Sequence, residues 1–520
     1  MIETQFIKSS VVAVLACVYL FFQPLEAESA TPVEQPNIVL ILADDLGYGE
    51  LGSFGQQLIS TPNLDRLAAE GLRLTDHYAG SSVCAASRSV IMTGMHPGHS
   101  TIRGNRDSEK GQIAIDKDDV TVAEILKSSG YRTGAFGKWG MGVPETDGDP
   151  QLQGFDTFFG YYDQGNAHSY YPEHLWHNGE KFLLDNNPGI PGHARLPADA
   201  NPALASSYDA YKGTDYAPDR INAAALDFID AEEERPFFLY YATILPHLAL
   251  QIPDQYLEPY LGLGWKEVPF INENGVGYTP HLTPKAAYAA MITRMDFYVG
   301  QLLERLDERG LTNSTIVVFT SDNGPTPLLN EVDVDFFNST GDLNGLKETL
   351  YEGGIRVPTI IRWPGVVEPN TVSGFVSGFE DWLPTFADVA FSNIEPSALD
   401  GISLTPLFRD NSMAQRPFLY REFFGSSGWQ AVRARNWKAV RSKLRFGDTD
   451  VELYDLENDP GETQNLAQSN PRVVGELVEI MDREHVESDI FPLPSIDTYR
   501  YLHRLEYVAR TVYHKIRYGL

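Results

Sequence analysis

Two continuous apolar, β-branched runs constrain this chain more than any other feature: Asn37-Ile38-Val39-Leu40-Ile41-Leu42 and, far downstream, Thr315-Ile316-Val317-Val318-Phe319. Neither alternates apolar with polar residues. Each therefore reads as a strand buried on both faces, the habit of a mostly parallel sheet covered by helices. The segments between them fit that plan. Thr61-Pro62-Asn63-Leu64 opens a helix with Leu64, Leu67 and Ala68 on its apolar face, and Val122 to Leu126 reads as another helix. Tyr131 to Phe136 reads as a strand, Asp219 to Ile229 as a helix and Phe237 to Tyr241 as a strand. Lys285 to Leu306 places Met291, Met295, Val299, Leu302 and Leu306 at spacings of three or four, a long amphipathic helix feeding the second apolar strand. This alternation predicts an α/β domain over residues 31–410, with a large, mostly parallel central sheet flanked by helices.

Beyond about Asp410 the texture changes. Arg416 to Glu422, Gln430 to Arg433, Trp437 to Arg441 and Glu452 to Leu456 read as short strands, followed by a helix over Val473 to Glu484. They predict a small C-terminal antiparallel sheet with one helix, residues 411–485. Residues 486–520 read as a basic, amphipathic helical tail with Leu502, Leu505, Val508, Val512 and Ile516 on one face. Such a helix docks on the core or meets a membrane surface or a partner. Leu184 to Ala217, rich in Pro, Gly, Asn and Ala, reads as a long surface loop.

A net charge of -31 disfavours nucleic acid and anionic membranes as partners. Residues 1–30 have the form of a cleaved export signal: Lys8, an apolar stretch from Val11 to Phe22, then small residues near Ala27 and Ala30. The stretch is short against the roughly 20 residues of a spanning helix. The chain is thus expected to be exported, periplasmic or extracellular, with lipid anchoring through Cys17 as the poorer alternative. Only two cysteines exist, Cys17 and Cys84. A processed chain would keep Cys84 alone, without a disulfide, as a buried spare thiol or a residue held for chemistry.

Each apolar run ends in a polar pair, Asp44-Asp45 and Asp322-Asn323. Ligands in open α/β sheets sit beyond the carboxyl ends of strands, so both pairs would face one crevice. Three carboxylates and an amide oxygen suit Ca²⁺ or Mg²⁺, although either pair alone could merely cap a helix or form a turn. Cys84 opens a helix running toward Gly94, where free N–H groups favour an anion, and Arg88 lies one turn on. Lys138, Lys347 and His247 are candidate anion and proton groups, each of which, taken singly, also reads as an ordinary surface or structural residue. Tyr161 to Trp176, with His168, crowds aromatic and polar side chains into a loop-like stretch that suits sugar rings or lies buried under a loop.

The ordered set ADDLGYG, CAASRSVIMTG, GYRTGAFGKWG, TSDNGP, YEGGIRVP and ELYDLENDPGETQNL resembles the type I sulfatases of the alkaline-phosphatase superfamily, over Asn37 to about Leu466. The resemblance implies that a maturation enzyme oxidises Cys84 to formylglycine (3-oxoalanine), whose hydrate attacks the sulfur of a sulfate ester. A covalent sulfo-enzyme then loses sulfate as the second hydroxyl is deprotonated. By motif position Asp44, Asp45, Asp322 and Asn323 would hold Ca²⁺, Arg88 would steady the nucleophile, Lys138 and Lys347 would bind sulfate oxygens, and His247 would serve the leaving oxygen. The expected substrate is a sulfated carbohydrate or another sulfate ester. A phosphate or phosphonate ester hydrolase, or a non-catalytic glycan binder with unmodified Cys84, is the alternative. Two positions depart from the family pattern: Ala86 stands where many members have proline, and Gly140 where many have a histidine that serves sulfate elimination. His168 is the sequence's nominee for that base, with contact to substrate as its rival role.

Overall fold

The computed structural model describes residues 35–108, 111–392, 399–410 and 413–497. The expected signal segment, Cys17 and the helical face from Leu502 to Ile516 lie outside the described residues. Residues 486–497 of the expected tail are described and are not helical.

Ten strands form the central sheet. They are β1 (Asn37–Ala43), β2 (Leu72–Leu74), β3 (Arg132–Lys138), β4 (Thr157–Tyr161), β5 (His174–His177), β6 (Glu180–Leu183), β7 (Phe237–Ala242), β8 (Thr315–Ser321), β9 (Thr359–Arg362) and β10 (Thr371–Ser373). Their order is β10-β2-β9-β8-β1-β7-β3-β4-β5-β6. The central five, β8-β1-β7-β3-β4, are parallel. β9, β5 and β6 join antiparallel to their inner neighbours.

β1 shows why the sequence needs two covered faces. Val39 and Ile41 enter one apolar cluster with α4 (Ala217–Asp230) and α5 (Pro284–Glu308), while Ile38, Leu40 and Leu42 enter the other, with α2 (Cys84–Thr93) and α3 (Val122–Ser128). Burying each such side chain contributes roughly 1.5–3 kcal/mol. α1 (Pro62–Ala69) buries the predicted Leu64, Leu67 and Ala68.

The C-terminal sheet, β11 (Leu419–Phe423), β12 (Trp429–Ala434), β13 (Trp437–Arg441) and β14 (Glu452–Asp455), is antiparallel throughout. One face takes Leu477 and Met481 of α6 (Pro471–Glu484). The other packs Leu419, Ala431 and Val440 in one cluster with Tyr78, Val83, Ala86, Leu350 and Ile355. Beneath it Lys438 pairs with buried Glu352 and Glu462, each at 2.9 Å. β11 starts later than the expected Arg416 because Pro417 has no N–H for the ladder, and the Arg416 guanidinium instead bonds Asp381 at 2.9 Å. The stretch from Tyr161 to Trp176, read as one loop, begins in β4 and ends in β5.

Candidate active site

Strand register builds the site. Ala43 of β1 lies opposite Ser321 of β8, Leu42 opposite Ala242 of β7, and Ala242 opposite Gly137 of β3. Four parallel strands therefore end level, and the residues that follow them converge. Gly137 is required here: a Cβ would stand 1.9 Å from the Ala242 carbonyl oxygen. Asp45 takes φ 64°, a left-handed turn that a short acidic side chain tolerates, and its N–H donates to Asp322 Oδ1 at 3.1 Å.

Around Asp44, Asp45 and Asp322 stand three basic side chains. Lys138 Nζ donates to Asp44 Oδ2 at 2.8 Å, and Lys347 Nζ to the Asp45 carboxylate at 2.8 Å. Arg88 places Nε and Nη2 on Asp322 Oδ2 at 3.0 and 2.8 Å. The Lys347 loop is held by Lys347 N–H to Pro325 O and Glu348 N–H to Ser82 O, both 3.0 Å. Cys84 sits at the centre: its thiol donates to Asp44 Oδ1 at 3.3 Å, and Lys347 Nζ lies 3.5 Å from Sγ.

Burial opposes ionisation of Asp44, but Lys138, His247, Arg88 and Lys347 together outweigh it and hold the carboxyl well below the usual range. Burial and the nearby Asp44 push Asp322 up to about 6 despite Arg88. Burial, with Asp322 and Asp44, pushes the Cys84 thiol far up. As a thiol Cys84 is a weak nucleophile, since the thiolate is the reactive form.

His247 Nδ1 faces the Leu248 carbonyl, which can only accept, so Nδ1 carries a proton. Its Nε2 lies 3.3 Å from Lys347 Nζ and 3.5 Å from Asp45 Oδ2, and burial lowers its pKa to about 4. His168 lies flat on His247, ring centroids 5.0 Å apart and planes at 9°. Its bonded partner is His193, Nδ1 to Nε2 at 2.9 Å, and Tyr278 packs edge-on at 5.1 Å. The structure thus gathers every site residue expected from sequence except His168, which stands behind His247 on the aromatic side. His193 and Tyr278 were not anticipated; both lie in irregular segments with no motif around them.

The donor set fits a hard cation. Asp44, Asp45 and Asp322 offer carboxylate oxygens, and Asn323 Oδ1 is buried with no partner among the described residues. A second cluster, His96, His99 and Glu484, has the composition of a metal site but not the tautomer. His96 Nδ1 accepts from Gly98 N–H at 3.2 Å, so Nε2 keeps its proton and points it at Glu484.

Comparison with known proteins decides the family. Residues 36–392 match the Sulfatase family, and residues 346–486 match the family described as N-sulphoglucosamine sulphohydrolase, C-terminal. The chain belongs to the sulfatase family. It is 34% identical to human arylsulfatase A over 86% of this chain and 87% of that one. It is 28% identical to N-acetylgalactosamine-6-O-sulfatase of Bacteroides thetaiotaomicron, over 88% and 95% of the two chains. The solved structure of Ps i-CgsB in complex with k-i-k-neocarrahexaose superimposes with a TM-score of 0.70 at 26% identity, covering 89% of this chain and 96% of that one. As a sulfatase of the alkaline-phosphatase superfamily, the protein is a sulfuric ester hydrolase. Among the described residues no helix is long and apolar enough to cross a membrane.

Proposed function

We propose that the protein is an exported, calcium-dependent sulfatase of sulfated carbohydrates whose nucleophile is formylglycine made from Cys84. The observation that carries this reading is the enclosure of Cys84 by Arg88, Lys138 and Lys347 beside an all-oxygen donor set. A fully buried thiol held protonated has little chemistry of its own, whereas a modified side chain there meets three anion-binding groups at once.

Asp44, Asp45, Asp322 and Asn323 would hold the cation. The hydrated aldehyde at position 84 would supply an oxygen nucleophile, and the cation would supply positive charge favouring its ionised form and polarising the ester. Lys138 and Lys347, which pair with Asp44 and Asp45 here, would bind the sulfate oxygens. Arg88 stays on Asp322 and fixes the helix that carries residue 84. His247 keeps its Nδ1 proton on Leu248 O, so Nε2, which faces Lys347 Nζ at 3.3 Å, is the nitrogen able to take a proton. The arriving anionic ester raises the proton affinity of that nitrogen, which takes a proton from solvent and gives it to the leaving alcohol oxygen as the ester S–O bond breaks.

The aromatic side supports a carbohydrate. His193 Nδ1 donates to Gly277 O at 3.1 Å, so its Nε2 accepts from His168 Nδ1. Burial keeps His168 neutral, and its Nε2 is left as an acceptor suited to a sugar hydroxyl. We therefore assign His168 to substrate contact and not to elimination. The relatives named for N-acetylgalactosamine 6-O-sulfate and crystallised with a neocarrahexaose point the same way.

The test is the mass of the Leu74–Arg88 tryptic peptide from protein made in its native source, followed by sulfate release from sulfated oligosaccharides. Conversion of cysteine to formylglycine with sulfate release supports the reading. An intact thiol with glycan binding but no release would replace it with a binding protein, and faster hydrolysis of matched phosphate esters with a phosphohydrolase.

A further inference from the structure

Gly140 follows Lys138-Trp139 and departs from the family pattern, and the structure shows what fills its place. Its φ is +81°, and its N–H donates to Tyr162 O at 2.9 Å. A Cβ at this position would lie 2.1 Å from Gln164 Nε2, 3.2 Å from Gln164 Cδ and 3.9 Å from Arg88 Cδ. The Gln164 amide therefore occupies the slot that any side chain at 140 would claim, beside Arg88 and two residues beyond Lys138. Gln164 is 8% exposed, and neither its Nε2 nor its Oε1 has a hydrogen-bond partner among the described residues. Folded proteins seldom leave both ends of a buried amide unpaired, and a leucine would fill the volume without that penalty. The amide is thus placed for a partner that arrives later.

We infer that Gln164 is the neutral hydrogen-bonding group of the sulfate pocket, taking the slot left open by Gly140 and donating its amide to an oxygen of the bound sulfate group. The inference rests on the sulfatase reading for its ligand and deepens it. An amide does not titrate near neutrality, so Gln164 binds and orients but takes no proton. It complements Lys138 and Lys347: the two lysines bring positive charge to the sulfate oxygens, and the amide fixes one oxygen by direction. It also explains how the pocket keeps its shape with no side chain at 140.

The experiment is calorimetric titration of the full-length, calcium-loaded protein with inorganic sulfate, with thermal midpoints recorded in parallel. For Gln164→Leu the dissociation constant should rise roughly tenfold or more, the loss of one good hydrogen bond to a charged group, with the midpoint unchanged or higher. Gly140→Ala should cause the same loss, because its methyl displaces the amide while Gln164 remains, and should add nothing in the Gln164→Leu background. Unchanged sulfate affinity in Gln164→Leu, whatever its midpoint, would overturn the inference and leave a packing residue. Turnover of a small sulfate ester is measured separately. A wild-type protein that binds sulfate through Gln164 but turns over no ester refutes the catalytic reading alone, whereas one that binds no sulfate refutes both.

Discussion

Replacing Lys347 with methionine keeps an unbranched side chain one atom shorter and removes its charge. Lys347 Nζ stands 3.5 Å from Cys84 Sγ, the atom whose place the nucleophilic oxygen would take, and 2.8 Å from the Asp45 carboxylate. Two unit charges about 4 Å apart interact by about 4 kcal/mol at an effective dielectric constant of about 20. If that interaction is realised fully in the transition state, its loss lowers kcat/KM about 10³-fold. Part of it also acts on the bound ester, so KM rises while kcat falls. The assay is steady-state hydrolysis of an aryl sulfate, with the formylglycine content of each preparation checked by peptide mass. A second readout separates charge from folding. With calcium bound, Asp45 keeps a partner in the variant; with calcium chelated it is buried and uncompensated, a situation that costs about 3–5 kcal/mol. Chelation should therefore lower the thermal midpoint of Lys347→Met more than that of the wild type. A loss of kcat/KM below tenfold, at equal formylglycine content, would refute the sulfate-binding role.

Other consequences can be checked directly. Chelation should lower the thermal midpoint of the wild type and calcium should restore it, while Asn323→Ala, lacking the orphaned Oδ1, should need about tenfold more calcium for the same recovery. His485 is clamped between Glu422 and Asp497, each at 2.8 Å, with Arg103 and Tyr420 also bonded to Glu422. Burial opposes its charging, but those two carboxylates raise its pKa to about 9. A raised pKa stabilises fully below the unfolded value near 6.5 and is lost as pH climbs through 9, an effect of about 3 kcal/mol. Exchange protection of residues 484–497 should therefore exceed that of His485→Gln at pH 6 and match it near pH 10; a difference that persists at high pH would contradict this. Lys438→Met should strip the partner from buried Glu352 and Glu462 and destabilise by roughly 3–5 kcal/mol, seen as early unfolding of the C-terminal sheet in a denaturant titration.

The parts of the fold that were legible in sequence are those whose burial is complete along a segment. β1 and β8 read as strands because every side chain is apolar or small, and α5 because its apolar positions recur at helical spacing. β2, β9 and β10 were missed: at three or four residues they are too short to show a period, and their pairing depends on partners distant in the chain. β4 contains Gly160, whose Cβ would meet the Gly137 carbonyl oxygen at 1.9 Å, a requirement that sequence reports only as a glycine in a run of aromatics. The site divides likewise. Acidic pairs at strand ends and a cysteine opening a helix carry their chemistry in their neighbours. His193 and Gln164 do not, because their meaning lies in a tautomer chain ending at Gly277 and in a slot left by residue 140.

Cys84 has no exposed surface, and the residues flanking it are packed against partners synthesised late. Val83 and Ala86 pack with Leu419, Ala431 and Val440, Arg421 Nε donates to Ala79 O at 2.6 Å, and Ser81 Oγ to Glu422 O at 3.4 Å. Those partners leave the ribosome long after the cysteine whose neighbours they hold in place. If Cys84 is converted as proposed, the converting enzyme would have to reach it while the C-terminal sheet is still missing or unfolded. The opportunity is a biosynthetic interval, opened by translation and ended by folding. On the formylglycine reading, chains that fold before conversion would keep their sulfur enclosed, and an oxidase added to finished protein would leave them unconverted. The active fraction of a preparation would then be a record of its production rate, set by the race between maturation and the arrival of residues 419–455.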